Sequence, residues 1–157
     1  MKKSFIIIIA AIFCLLSQTK AQGFSEGSLT AGPTLGVSYG FALGAQLDYG
    51  LTDNWSIGGD IVYTTYKQFY NYNLLGMLLA GAYHFMPNNE WDPYVKGGLG
   101  FFNWTNDAPQ GWNVAYSSGV GFVLQAGCRY YFNDNIAARA SLGFPYYVGL
   151  GVDFKIK

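Results

Sequence analysis

From residue 29 onward the chain alternates between a bulky apolar face and a small or polar one, and every charge inside the alternating segments falls on the second face. A period of two is the pattern of a β-strand, whose successive side chains point to opposite sides. In residues 41–51, Phe41, Leu43, Ala45, Leu47, Tyr49 and Leu51 share one face, while Ala42, Gly44, Gln46, Asp48 and Gly50 share the other. The pattern recurs over residues 29–38, 55–64, 73–85, 94–102, 120–132, 136–144 and 148–156, which predicts eight strands. Pro33 interrupts the first of them; a proline cannot donate to a ladder, so a bulge or a local break in pairing is expected there. The fourth segment is the least diagnostic, because Leu74, Leu78, Ala80 and Ala82 make its second face partly apolar as well, and a buried helix is the competing reading.

The connections differ at the two ends. Residues 51–54, 86–90 and 133–135 are short and rich in Asn and Asp, as tight turns require. The opposite connections, at 39–40, 67–72, 103–115 and 145–147, are more variable and aromatic. In a membrane barrel of bacterial type the short turns face the periplasm and the longer loops face outward.

A soluble barrel of the lipocalin kind points its large apolar side chains inward and its charges outward. Here the bulky face carries no charge, and in water it would form an apolar band far larger than soluble monomers tolerate. Lipid removes the conflict, because a closed sheet spans hydrocarbon with all its backbone groups paired. Aromatic residues flank the band as interface belts do. Trp55, Trp91, Tyr83, Phe85, Tyr130 and Phe132 gather beside the tight turns, and Tyr63, Phe101, Trp104, Trp112, Phe144, Tyr146 and Tyr147 toward the other rim. The lipocalin-like soluble binding barrel stays as the alternative.

The first residues read as an export signal. Lys2 and Lys3 precede an apolar run over residues 5–16, and Thr19, Lys20 and Ala21 follow with small residues at cleavage-type positions. Twelve residues are too few for a spanning helix, which needs roughly 20. Cleavage after Ala21 leaves one domain, residues 22–157, and removes three of the nine basic residues, so that six oppose nine acidic ones, a formal charge of −3. No basic patch supports nucleic-acid binding. Cys128 is then the only cysteine, so no internal disulfide forms. Phe13 before Cys14 is too bulky for a lipidation site.

With the signal, the eight strand dyads and turns such as Gly50-Leu51-Thr52-Asp53-Asn54-Trp55, the chain resembles the small outer-membrane β-barrel proteins, similar in plan to the OmpA transmembrane domain and to OmpX. The resemblance covers the whole mature chain. It implies an all-β, eight-stranded antiparallel up-and-down transmembrane barrel in the outer membrane of a Gram-negative-type cell. It also implies contact with outer-membrane lipid and lipopolysaccharide, and delivery by the barrel-assembly machinery. One departure is the C-terminus, Phe154-Lys155-Ile156-Lys157, where such barrels usually end on an aromatic residue.

Eight strands enclose an interior just wide enough for side chains to fill it. The expected lumen charges are Asp48, Asp60 and Asp153 against Lys96, Arg129, Arg139 and Lys155. If Phe132 pairs with Ile136 across the turn, Arg129 lies opposite Arg139, and like charges directly opposite are destabilising unless an anion intervenes. Asp153 on the next strand, and Asp48 and Asp60 across the ring, are the candidate anions. The functional version of this network is a polar plug that rearranges into a narrow conductance, and the plain version is a static core. His84, the only histidine, points inward near the periplasmic rim with no Ser or Cys nucleophile apparent beside it, so no catalytic residue, metal site or cofactor is expected. Asp53, Asp107 and Asp134 read as turn residues, and Cys128 faces lipid. The classes that remain are a monomeric structural or surface-interaction barrel, touching lipopolysaccharide, a host surface or a partner protein through its aromatic outer loops, and a low-conductance channel for small solutes.

Overall fold

A computed structural model describes residues 23–67, 70–107 and 118–157; the export-type segment and Trp112 lie outside them. Eight strands follow in chain order: β1 (Leu29–Val37), β2 (Phe41–Gly50), β3 (Trp55–Lys67), β4 (Asn71–His84), β5 (Trp91–Asn106), β6 (Gly119–Asn133), β7 (Ile136–Phe144) and β8 (Val148–Lys155). Each pairs antiparallel with the next and β8 closes on β1, so the sheet is a barrel without an edge. The fourth segment is a strand, not a helix.

The alternation sorts inside from outside as expected for a membrane. Leu43, Leu124 and Leu150 are 46, 64 and 61% exposed on the outer surface, while Asp60 and Arg139 are 5 and 3% exposed in the interior. This arrangement excludes the lipocalin-like reading, which needs the reverse.

Four strands are longer than the alternation suggested. β3 runs to Lys67, β4 begins at Asn71, β5 spans Trp91–Asn106 and β6 begins at Gly119. Residues 67, 71–72 and 103–106, read as loop, are therefore strand. Polar, aromatic ladder pairs such as Tyr66↔Tyr72 and Asn73↔Thr105 carry this part of the sheet, where a hydrophobic period is no guide.

Pro33 stays in register with Ala45 of β2, whereas its ladder with β8 lapses between Ala31↔Phe154 and Thr34↔Gly151 without a shift. The proline thus breaks pairing on one side only. At the β6–β7 turn the pair is Asn133↔Ile136, not Phe132 with Ile136, because a bulge between Tyr131 and Asn133 absorbs one residue. Arg129 still faces Arg139.

On the side of the tight turns the aromatic belt forms two triads. Trp55 meets Tyr83 at 5.1 Å, Tyr83 meets Phe85 at 5.1 Å, Trp91 meets Tyr130 at 4.8 Å and Tyr130 meets Phe132 at 5.2 Å between ring centroids. Those separations suit edge or offset aromatic contacts. The outer belt is thinner than expected. Trp104, Phe144 and Tyr146 belong to the interior cluster instead. Gly143 explains Phe144: its φ of +128° is a conformation that L side chains rarely adopt, and it breaks the alternation just before that residue.

Candidate functional site

The lumen is filled in layers, and its middle layer is a chain of charges. Asp60 on β3 holds Lys96 on β5 at 2.9 Å, and Lys96 also reaches Asp48 on β2 at 3.3 Å. Asp48 pairs with Arg129 on β6, and Gln46 donates a hydrogen bond to the same carboxylate. Arg129 Nε donates to Asp153 on β8 at 2.9 Å, and Asp153 accepts from Arg139 on β7 at 2.7 Å. Arg139 ends the chain with a 2.5 Å hydrogen bond to Thr34 Oγ1 on β1.

Acid and base thus alternate, Asp60, Lys96, Asp48, Arg129, Asp153 and Arg139, with three of each sign and every side chain buried. The directly opposed arginines are bridged by the one aspartate on the neighbouring strand. Charges this deep cost several kcal/mol each to desolvate and are held only where partners satisfy them. The Arg129 guanidinium also lies 5.1 Å from the Tyr94 ring centroid, a cation–π distance.

The network needs room, and inward glycines supply it. A Cβ on Gly58 would stand 2.0 Å from Asp48 Oδ1, and one on Gly151 would stand 2.6 Å from Arg139 Nη2. The small polar face read from the sequence is the socket for long charged side chains crossing from other strands.

Lys155 does not join the chain. Its Nζ is 3.4 Å from both Gly23 O and Ser25 Oγ, so it ties down the segment before β1. The lumen gains Asp92 instead, a buried acid that precedes the alternating segment at 94–102 because β5 begins earlier, at Trp91. Extending the period of two backward from Lys96 places Asp92 inward.

Asp92 belongs to the inner layer. Its Oδ2 lies 2.8 Å from His84 Nδ1, and His84 Nε2 lies 3.0 Å from Ser56 Oγ. This corrects the expectation that no serine stands beside His84. With its proton on Nδ1, His84 donates a hydrogen bond to the Asp92 carboxylate, and its Nε2 accepts one from the Ser56 hydroxyl. Ser, His and Asp in this order have the connectivity of a nucleophile, base and orienting acid. All three are buried, however, and Phe24, 0% exposed, stacks on the imidazole with centroids 3.7 Å apart and planes 4° apart. The arrangement satisfies three buried polar groups and clamps β3, β4, β5 and the N-terminal segment together.

Phe24 is the residue that sequence reasoning missed altogether. With Tyr131 and Ala137 it closes the tight-turn end of the lumen, and Phe24 O accepts from Asn88 N at 2.9 Å in the β4–β5 turn. The outer half of the lumen is not polar as expected. Ala42, Val62, Leu74, Leu78, Phe102, Val123 and Tyr146 form an apolar cluster there, flanked by Trp104 and Phe144.

Among the described residues no group of three His, Cys, Asp or Glu side chains is arranged to hold a metal. Asp53 and Asp107 work as loop ties: Asp53 accepts from Glu26 N at 3.1 Å, and Asp107 from Asn71 N at 2.8 Å and Asn71 Nδ2 at 2.6 Å.

The comparisons with known proteins agree with this architecture. The family model described as outer membrane protein beta-barrel domain matches residues 8–156. Among solved structures, the N-terminal β-barrel domain of Pseudomonas aeruginosa OprF is similar at 27% identity and a TM-score of 0.61, covering 86% of this chain and 100% of that one. The outer membrane protein OprG from Pseudomonas aeruginosa is similar at 14% identity and a TM-score of 0.60, covering 87% of this chain and 93% of that one. Neisserial surface protein A is similar at 17% identity and a TM-score of 0.60, covering 82% of this chain and 94% of that one. The last two likenesses concern the fold alone. No curated protein matches the sequence.

Proposed function

Since this chain belongs to the outer membrane protein beta-barrel domain family, and is an outer-membrane barrel, we propose that it works as a closed, non-catalytic barrel whose role is structural or exerted at the cell surface. The observation that carries this reading is the filled lumen. Phe24 covers one end, a neutral chain of six ionic side chains fills the middle, and an apolar cluster occupies the outer half. A solute path would have to break paired charges in a low-dielectric interior. What the barrel offers its surroundings is then its lipid-facing band and its aromatic outer rim. In this reading residues 1–21 direct export and are removed, assembly machinery inserts the mature chain, and a single copy meets lipopolysaccharide or a surface partner through residues near Tyr39 and Tyr147.

Planar-bilayer recordings on the purified, detergent-refolded protein test the proposal. Silent bilayers are expected, together with a gel mobility that changes on boiling. Discrete conductance steps that vanish in Arg129→Ala would overturn the closed barrel and make the charge chain a gate.

A further inference from the structure

The outer rim of the barrel is uneven, and its low point opens sideways. The β6–β7 ladder stops at Leu124↔Phe144, whereas β6 continues up to Gly119 and is paired on its other side as far as Phe102↔Gly119. Residues 119–123 of β6 therefore rise above β7 with no β7 residue beside them. A cavity of about 480 Å³ lies at this notch, lined by Leu74, Phe102, Trp104 and Phe144 from within, and by Val120 and Phe122 at the lip.

Two features make it a site rather than a packing fault. Its volume falls within the roughly 300–1,000 Å³ of ordinary small-molecule sites. Its lining also joins two surfaces that the sheet otherwise separates. Leu74 and Phe102 are 1 and 7% exposed in the lumen core, whereas Val120 and Phe122 are 76 and 71% exposed on the lipid-facing band. The apolar interior is thus continuous with the bilayer surface through the notch. At its upper end a Cβ added to Gly119 would meet nothing within 4 Å.

We propose that the notch binds one acyl chain of a membrane lipid, which bends sideways over the β6 lip into the apolar upper lumen while its head group stays at the membrane surface. An acyl chain suits the lining because it needs no hydrogen-bond partner and arrives from the hydrocarbon that already bathes Val120 and Phe122. The inference rests on the lipid-facing orientation of the band, and the experiment checks that orientation separately.

The readout is tryptophan fluorescence in phosphatidylcholine vesicles with or without bromine on the acyl chains. One variant keeps only Trp104 (Trp55→Phe, Trp91→Phe, Trp112→Phe), whose indole packs against the interior cluster. A second keeps only Trp91, which stands on the lipid-facing belt. Brominated lipid is expected to quench both. Adding Gly119→Leu, which fills the upper end, or Val120→Lys, which charges the lip, is expected to abolish most of the Trp104 loss and leave Trp91 quenching unchanged. Trp104 emission indifferent to bromine, or quenched equally with and without both blocking substitutions, would overturn the site. Quenching by a free brominated alkane but not by brominated lipid would also overturn it, in favour of a soluble apolar solute. Unquenched Trp91 would instead overturn the membrane orientation on which the site depends.

Discussion

The two halves of one lumen, enclosed by the same eight strands, are built on opposite principles. Toward the tight turns the interior is a chain of salt bridges and hydrogen bonds capped by Phe24, and toward the longer loops it is an apolar cluster beside an open cavity. Both halves fill space, yet their energetics differ. In the charged half each group depends on its neighbours, and a correctly paired network contributes little net stability while a broken one is costly. In the apolar half each side chain contributes by its own burial and the loss of one leaves the rest intact. The charged half fixes which strands face one another, and the apolar half is free to vary in size and shape.

The sharpest way to break this contrast is Asp153→Ala. It leaves Arg129 and Arg139 opposed across a cross-strand pair with no bridging anion, and Arg129 retains only Asp48. A loss on the order of 3–5 kcal/mol is expected, the cost of an uncompensated buried charge. Urea unfolding from lipid vesicles, read by gel mobility, measures it. An equal loss in Asp153→Asn would show that charge, rather than shape, is what Asp153 supplies. A loss near zero would mean that water already reaches the arginines.

Phe24→Ala comes next. It removes the ring stacked on His84 and opens the tight-turn end, and a loss of about 3 kcal/mol is expected, the lower part of the range for a buried Phe because the segment stays tied by Lys155 and Asn88. If the cap were merely peripheral, unfolding would be unchanged and the His84 ring signals in an NMR spectrum would not move.

How far the sequence foretold this contrast depends on where its alternation holds. Asp48, Asp60, Lys96, Arg129, Arg139 and Asp153 sit at regular inward positions, but the two arginines are opposed because the bulge between Tyr131 and Asn133 offsets a turn one residue shorter than the alternation implies. The outer filling was harder to read. Phe144 has lipid-facing parity and turns inward only because Gly143 adopts a positive φ. Trp104 lies beyond the point where the hydrophobic period fades, and an aromatic residue near a rim suits a lipid belt and a lumen equally well. Asp92 and Ser56 were both on inward parity, and extending β5 by one period would have brought Asp92 to His84. Phe24 precedes the first strand and belongs to no periodic element. Its place is decided by contacts with residues 88 and 84, far along the chain, for which one sequence carries no local signal.

Leu74→Ala tests the apolar half. Leu74 is almost fully buried but already borders the notch cavity, so its removal enlarges a void more than it creates one. A loss of about 2 kcal/mol is expected, the bottom of the range for Leu to Ala in a core. The decisive comparison is with Asp153→Ala in bilayer recordings. The apolar substitution should stay silent because the charged layer still seals the lumen, and only the charge substitution, which breaks that layer, should admit current. Conductance from Leu74→Ala would place the seal in the outer half and reverse the contrast.

The smallest effect belongs above both layers, at the rim clasp between Asn71 and Asp107. The Asn71 backbone N–H and side-chain amide both donate to Asp107, and these hydrogen bonds to the ionised carboxylate hold its pKa below the usual value of 3.8. A carboxyl group depressed in the folded state adds stability above its unfolded pKa and loses it as pH falls through the folded one. The clasp is fully exposed, so solvent screening keeps its contribution slight. Hydrogen exchange at Asn71 N–H should therefore be slow at neutral pH and quicken, relative to Tyr66 on β3 and Tyr72 on β4, only below the ordinary carboxylate range. Asp107→Asn should give the faster exchange at every pH while leaving the unfolding of the barrel unchanged. A pH step at Asn71 that persists in Asp107→Asn would assign the titration to another group and detach the rim from this account.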